Sequence, residues 1–260
     1  MSKTVKPHSS KPLSDDQLMR YSRHIMLPSM DIDGQEKLWN SKVLIIGVGG
    51  LGCAVAQYLA CSGIGQLTLV DDDLVDKTNL QRQVLHAENN VGMNKCESAK
   101  QSLQQLNSEI TINTTEHRLG WAELSAAVES HDVVVDCSDN LDTRNELNLC
   151  CFQSKTPLVS GAAIRMEGQV ATYTMQQGQP CYQCLSTIFG GSGDQKLTCS
   201  ESGVLSPVVG VIGSLQATET IKLLAGIGTV LSSRLLMFDA STMKFNEFKV
   251  AKNPNCQVCS

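Results

Sequence analysis

Aromatic side chains make up only 4% of this sequence, so aliphatic residues, within a hydrophobic share of 42%, must fill the core. An excess of basic charge is also missing. The formal net charge is −5, which argues against nucleic acid or an anionic membrane as the main partner. No apolar span of about 18 residues occurs, and the N-terminus has no apolar core of the kind found in signal peptides. Without a signal, the eleven cysteines read as reduced thiols or metal ligands rather than a secreted disulfide framework, and the expected location is cytoplasmic. Two catalytic signatures are absent as well. The pattern G-x-x-x-x-G-K-[ST] does not occur, which excludes a standard P-loop ATPase, and no nucleophile–His–acid arrangement is evident.

Against these gaps stands one dense stretch, residues 42–52, reading Lys-Val-Leu-Ile-Ile-Gly-Val-Gly-Gly-Leu-Gly. Residues 43–46 are a short apolar, β-branched run suited to a strand buried on both faces of a parallel sheet. The run breaks at Gly47, Gly49 and Gly52, the spacing of the Rossmann nucleotide fingerprint, with a further glycine at Gly50. A strand that enters a helix through such a turn aims backbone N–H groups and a positive helix end at one spot, which favours phosphate. Residues 53–59 continue as a helix toward a stop at Ser62-Gly63, and residues 67–70 form a second strand ending in Asp71. An acid there is placed to meet the ribose hydroxyls of a nucleotide. A bare structural turn is the alternative for the glycines alone, but the ordered set of strand, glycines, helix, strand and acid favours nucleotide binding.

Residues 1–13 carry Lys, Ser and Pro without periodicity and read as a flexible tail, followed by one α/β domain over 14–260. Ser14-Asp-Asp-Gln17 is a capping box that opens a helix with Leu18, Tyr21 and Ile25 on one face. Arg20, Arg23 and His24 fall mostly elsewhere, as a solvated basic face would. Residues 72–85 are polar and irregular, at the strand edge where open α/β sheets bind ligands. A helix is expected over 94–106, with Lys95 in its first turn. A cation there opposes the macrodipole, so Lys95 either has an anion to meet or is harmless in solvent. Further strands are expected at 110–114, 133–136, 158–164, 168–174, 234–238 and 244–250, and helices at 123–130, 143–153 and 208–224. The last helix carries Gln216, Thr218, Glu219 and Lys222, so it reads as a buried helix rather than a membrane span. Residues 176–203 form a long glycine-containing segment of the kind that is functional or disordered in compact domains. The expected fold is Rossmann-like, with a mixed sheet that is parallel in its first half and antiparallel in its second.

Cys181-Tyr-Gln-Cys184 and Cys256-Gln-Val-Cys259 are paired C-x-x-C motifs that match a closed, structural zinc site of four thiolates. A redox dithiol or unrelated free thiols are the alternatives. Cys53, Cys61, Cys96, Cys137, Cys150 and Cys151 fall in helix or strand patterns and read as small core residues. Cys199 lies in the polar part of the long segment, where a reactive thiol is the minority reading.

The carboxyl edge of the sheet should gather Gly50, Asp71, Asn79, Arg82, Lys95, Asp139 and Asn140. Arg82 and Lys95 suit polyphosphate, and Asp139 suits Mg²⁺ bound through a carboxylate and substrate phosphates. Such a set fits adenylation, in which an already ionised carboxylate attacks the α-phosphorus of ATP and no general base is needed. An NAD-dependent oxidoreductase would use the glycine turn and Asp71 equally well, but leaves Arg82, Lys95 and Asp139 without a shared task. A zinc-stapled nucleotide-binding module without catalysis is a third reading.

Taken together, Arg20-Tyr-Ser-Arg23, Gly47-Val-Gly-Gly-Leu-Gly52, Asp71-Asp-Asp73, Asn79-Leu-Gln-Arg-Gln83, Lys95, Asp136-Cys-Ser-Asp-Asn140 and the paired C-x-x-C motifs resemble the ThiF/MoeB/HesA family, relatives of the ubiquitin-activating enzymes. Val159-Ser-Gly-Ala-Ala-Ile-Arg-Met-Glu-Gly168 and Gly213-Ser-Leu-Gln216 look most like its MoeB branch. The resemblance implies ATP-dependent adenylation of the C-terminal glycine of a small ubiquitin-like sulfur carrier, MoaD-like, for molybdenum cofactor biosynthesis. A ThiS-like carrier for thiamine is the alternative. It further implies that Gly50 lines the phosphate turn, Asp71 holds the ribose, and Asn79, Arg82 and Lys95 contact the phosphates. Thr78, Leu80 and Gln81 would complete that segment, with Asp139 on Mg²⁺ and Asn140 beside the nucleotide. Arg23 would reach into the partner's site in a homodimer. A family cysteine in the region of Cys199 joins in sulfur transfer in the ThiF branch but is not needed for adenylation in the MoeB branch. No rhodanese-like domain is expected after Cys259, so a separate enzyme would donate the sulfur.

Overall fold

The computed structural model describes residues 11–188 and 202–260. Most of the expected tail, residues 1–10, and Cys199 lie outside these limits. At the near end of that tail, the Lys11 N–H donates to Asn40 Oδ1 at 2.9 Å, and Leu13 is buried.

Ser14 caps helix α1 (Asp15–Arg20), with Gln17 returning the bond to complete the capping box. The expected single helix breaks at Tyr21, whose φ of −96° and ψ of 13° leave the helical region, and α2 (Ser22–Ile25) follows. Tyr21 is held out of a continuous helix by its own burial. Its ring packs over Gly63 and its hydroxyl accepts from Asn107 Nδ2 at 2.9 Å. Helix α3 (Asp31–Trp39) was not legible in the sequence. Its polar residues obscure the apolar period, and Gly34 sits inside it because a Cβ there would lie 2.7 Å from Met30 Sδ.

The chain then alternates: β1 (Lys42–Ile46), α4 (Gly50–Cys61), β2 (Gln66–Val70), α5 (Lys95–Leu106), β3 (Thr111–Thr115), α6 (Trp121–Ser130), β4 (Val133–Asp136), α7 (Leu141–Ser154) and β5 (Leu158–Ile164). Among the described residues there follow β6 (Glu167–Tyr173), α8 (Tyr182–Ser186), α9 (Ser206–Ala225), β7 (Arg234–Asp239) and β8 (Lys244–Lys249). Helix α8 lies within the segment that sequence alone left irregular. The strands form an 8-stranded sheet of order β3-β2-β1-β4-β5-β6-β7-β8. Pairing is parallel from β3 through β5 and antiparallel from β5 to β8, as the mixed-sheet expectation requires.

Alternation along β1 divides the core. Val43 and Ile45 face a layer with Leu59 of α4, Leu103 of α5 and Ile212 of α9, while Leu44 and Ile46 face Val128 of α6 and Leu147 of α7. Against the expectation that no apolar span of about 18 residues occurs, helix α9 is long and apolar enough to cross a membrane by length and composition, the count of apolar residues having been broken by scattered polar ones. Here it lies on the sheet beside α4, with its buried polar groups satisfied. Gln216 Nε2 donates to the Asp136 carbonyl at 2.8 Å, and Glu219 accepts from Thr172 Oγ1 at 2.7 Å and the Leu231 N–H at 2.6 Å. Ile46 pairs level with both Val70 and Asp136, so β2, β1 and β4 end together. Strand order reverses at β1, making this edge the switch point where open sheets hold ligands.

Candidate active site

Gly47 leaves β1 at φ +90°, and a Cβ there would stand 2.8 Å from the Cys137 carbonyl oxygen. Gly52 lets the first turn of α4 close onto the same bend, since a Cβ on it would lie 2.0 Å from the Gly47 oxygen. Gly50 answers a different demand, because its missing side chain makes room for Val209 of α9, 2.8 Å from the Cβ position. These contacts fix the head of α4, and its free N–H groups, at the carboxyl edge.

Asp71 closes the turn from β2. Its Oδ2 accepts from the Val48 N–H at 2.6 Å and its Oδ1 from the Asp73 N–H at 3.0 Å. Burial pushes this carboxyl above the usual carboxylate range, with the Lys95 ammonium pulling the other way. Lys95 is held inward, its side chain 7% exposed, with Nζ 2.6 Å from Asp73 Oδ2 and 4.0 Å from Asp71 Oδ1. The apparent misfit at the start of α5 therefore has an intramolecular anion, while Asn94 caps the helix by accepting from the Cys96 N–H at 2.8 Å.

The segment from Thr78 to Arg82 is wound tightly beside this group. Asp76 Oδ1 accepts from the Thr78 N–H at 2.8 Å and Thr78 Oγ1 at 2.6 Å, Asn79 Oδ1 accepts from the Asp76 N–H at 3.3 Å, and Arg82 Nη1 reaches the Thr78 carbonyl at 3.1 Å. Leu80 is half-buried, and the Gln81 carbonyl takes a hydrogen bond from Ser206 Oγ, pinning the segment to the start of α9.

At the end of β4, Asp136 is fully buried and receives Ser138 Oγ at 2.6 Å, Ser160 Oγ at 2.8 Å and an ion pair from Arg144 at 3.4 Å. Arg144 also donates to the Ser138 and Gly161 carbonyls. Sequence reasoning missed this arginine. The signal was Asp136 itself, an acid in a strand with no access to water, which must find a cation or hydrogen-bond donors. The network braces a loop whose tip carries Asp139 and Asn140, both exposed. Asn140 caps α7 by accepting from the Thr143 N–H at 2.9 Å.

Gly50, Asp71, the segment 78–82, Lys95, Asp139 and Asn140 thus share one sheet edge, on the turns, loops and helix starts that follow β1, β2 and β4, neighbouring strands spaced about 4.8 Å apart. Arg23 does not join them. It lies by the far end of α4, whose 12 residues span about 18 Å, in a pocket of about 200 Å³ with Arg20, Tyr21, His24 and Cys61. Cys61 is exposed rather than a core residue, because the last turn of α4 presents it to this pocket.

A second cluster holds Cys181 and Cys184, around α8, with Cys256 and Cys259 near the C-terminus. All are buried, with sulfurs within 4.8 Å of one another. Cys181 and Cys256 sulfurs are 3.7 Å apart and Cys184 and Cys259 sulfurs 3.4 Å. Bonds of about 2.3 Å from a tetrahedral zinc would set sulfurs about 3.8 Å apart, so the donor set fits that metal. Asn148 Nδ2 donates to Cys181 Sγ at 3.6 Å and the Asn253 N–H to Cys184 Sγ at 3.4 Å, as outer-shell partners of thiolate ligands would.

Residues 21–258 match the ThiF family along nearly the whole described chain. The chain belongs to the ThiF family. Among its relatives, the molybdopterin-synthase adenylyltransferase of Escherichia coli K12 is 53% identical over 247 residues, covering 95% of this chain and 98% of that protein. The adenylyltransferase and sulfurtransferase MOCS3-1 of Drosophila pseudoobscura pseudoobscura is 44% identical over 255 residues, covering 98% of this chain and 56% of that protein. In three dimensions this ThiF-family chain is similar to E. coli MccB solved with ATP, with a TM-score of 0.79 at 28% identity, covering 93% of this chain and 74% of that one.

Proposed function

We propose that the protein is an adenylyltransferase that activates the C-terminal glycine of a MoaD-like, ubiquitin-like sulfur carrier with ATP, for molybdenum cofactor biosynthesis. The observation that carries this reading is the buried Lys95 held beside Asp71 and the glycine turn, at strand ends shared with Asp139. Near full-length likeness to a molybdopterin-synthase adenylyltransferase supports it.

In the proposed reaction a carboxylate oxygen of the carrier bonds to the α-phosphorus of ATP. The bond from that phosphorus to the oxygen bridging to the β-phosphorus breaks, and pyrophosphate leaves. The carrier's carboxylate is ionised at neutral pH, so this chain needs only to place the reactants and stabilise charge. The N–H groups at the head of α4 and Asp71 would orient phosphates and ribose. Asn79, Arg82 and Lys95 would meet the phosphates, with Thr78, Leu80 and Gln81 shaping their segment and Asn140 beside the nucleotide. Lys95 would exchange Asp73, a 68% exposed carboxylate, for phosphate oxygen. Mg²⁺ held by the exposed Asp139 would offset charge on the departing pyrophosphate. Zinc on the four cysteines would staple the C-terminal segment to α8. Strand β8 is an edge strand of the sheet and is exposed along its length, which leaves it open to a protein substrate. A separate enzyme would then supply sulfur to the activated carrier.

Pyrophosphate–ATP exchange tests the reading with carriers of both MoaD and ThiS type ending in Gly-Gly. Exchange with the MoaD-like carrier is expected. Exchange with the ThiS-like carrier alone would redirect the proposal to thiamine biosynthesis, and NAD(H) binding without exchange would favour an oxidoreductase.

A further inference from the structure

Gln83 is 4% exposed, and its Oε1 has no hydrogen-bond partner among the described residues. The backbone on either side of the side chain is fully engaged. The Gln83 N–H donates to the Asn79 carbonyl at 3.0 Å and its carbonyl accepts from the His86 N–H at 3.1 Å, which fixes where the side chain leaves the segment. It leaves toward the glycine turn. Nε2 stands 3.6 Å from where a Cβ on Gly49 would lie, and Gly49 is the N-cap of the 12-residue helix α4. A buried polar group without a partner lowers stability, and an apolar residue of the same shape would avoid the penalty. The buried Oε1 gives the fold no hydrogen bond among the described residues.

The carboxamide's position is of use to a phosphate. The head of α4 offers backbone N–H groups and the positive end of the helix dipole, both suited to anions. Asp71 already occupies the Val48 N–H, so the turn gains from a further donor. A carboxamide supplies two N–H bonds without adding a third positive charge next to Lys95 and Arg82. Nε2 is the donor end, and it is the end nearest the turn, so no reorientation of the amide is needed for it to meet a phosphate oxygen.

We infer that Gln83 is a direct ligand of the nucleotide's polyphosphate, donating from its carboxamide to a phosphate oxygen at the head of α4. The inference rests on the ATP-binding reading of this edge and adds a residue to it. Two variants of the full-length protein test it, Gln83→Met and Gln83→Glu, each measured for ATP affinity by calorimetry and for melting temperature with and without ATP. Gln83→Met should melt at or above the wild-type temperature without ATP, because it removes a buried oxygen that has no partner among the described residues. It should bind ATP at least about tenfold more weakly, equivalent to about 1.4 kcal/mol, and show a smaller ATP-induced rise in melting temperature. Gln83→Glu places a carboxylate against phosphate and should weaken binding further as pH rises and the new group ionises. Wild-type ATP affinity in both variants would overturn the inference, as would lower melting in both with an unchanged ATP-induced shift. Failure of the wild-type protein to bind ATP would instead remove the reading on which it rests.

Discussion

Lys95 and Asp71 set each other's behaviour. Asp71 stands above the usual carboxylate range because burial disfavours its charge, and the Lys95 ammonium offsets part of that. A carboxyl raised in the fold binds its proton more tightly there than in the unfolded chain. Its ionisation therefore lowers stability as pH rises from about 3.9 through the folded value. Lys95→Met should move that window upward. The variant should lose at least about tenfold in ATP affinity, since hydrogen bonds to charged groups contribute about 1.5–3 kcal/mol. Its remaining ATP binding should begin to fail at a higher pH on acidification than in the wild type. Calorimetric titration across pH checks both, and unchanged affinity with an unshifted acid limb would contradict the pairing. At this scale the sequence revealed residues whose chemistry is local. Glycine spacing and strand ends located Gly50, Asp71 and Asp139 along the sheet edge. Arg144 escaped because its partner Asp136 is reached only through tertiary packing. Gln83 escaped because only a structure shows a buried amide oxygen without a partner among the described residues.

Elements with a clean period were legible, and those whose shape depends on neighbours were not. The strands on either side of α4 are short and rich in apolar and β-branched residues, at 43–46 and 67–70, so the parallel half could be drawn from the sequence. Tyr21 breaks the first helix because its ring and hydroxyl are committed to Gly63 and Asn107, contacts far along the chain. Helix α8 is only five residues and owes its place to α7, where Asn148 Oδ1 accepts from the Tyr182 N–H at 2.9 Å. The proposed zinc would join α8 to the C-terminal segment, so its binding free energy would be part of folding free energy. Cys256→Ser should leave substoichiometric zinc by metal analysis and lower the melting temperature, while ATP affinity falls less. Full zinc content with unchanged melting would rule the metal out of this site.

For the whole molecule, the position of Arg23 is decisive. It sits about the length of α4, about 18 Å, from the glycine turn of its own chain, so a part in catalysis requires a second copy. We propose a symmetric homodimer in which Arg23 serves the neighbouring site, where a guanidinium fork suits phosphate. Exposed Met19, Met26 and Leu27 around it offer apolar surface to bury. Arg23→Ala and Lys95→Ala proteins, each nearly inactive, should recover activity when mixed after subunit exchange. In a mixed dimer one site then carries both lesions and the other neither. No recovery despite confirmed exchange would place Arg23 in cis. The central claim is the chemistry itself, and intact-mass measurement of the carrier reads it most directly. After incubation with ATP, Mg²⁺ and this protein, a MoaD-like carrier ending in Gly-Gly should gain one adenylyl group at its C-terminal carboxylate, lost on treatment with hydroxylamine. A carrier of unchanged mass, in the presence of protein shown to bind ATP, would contradict the account.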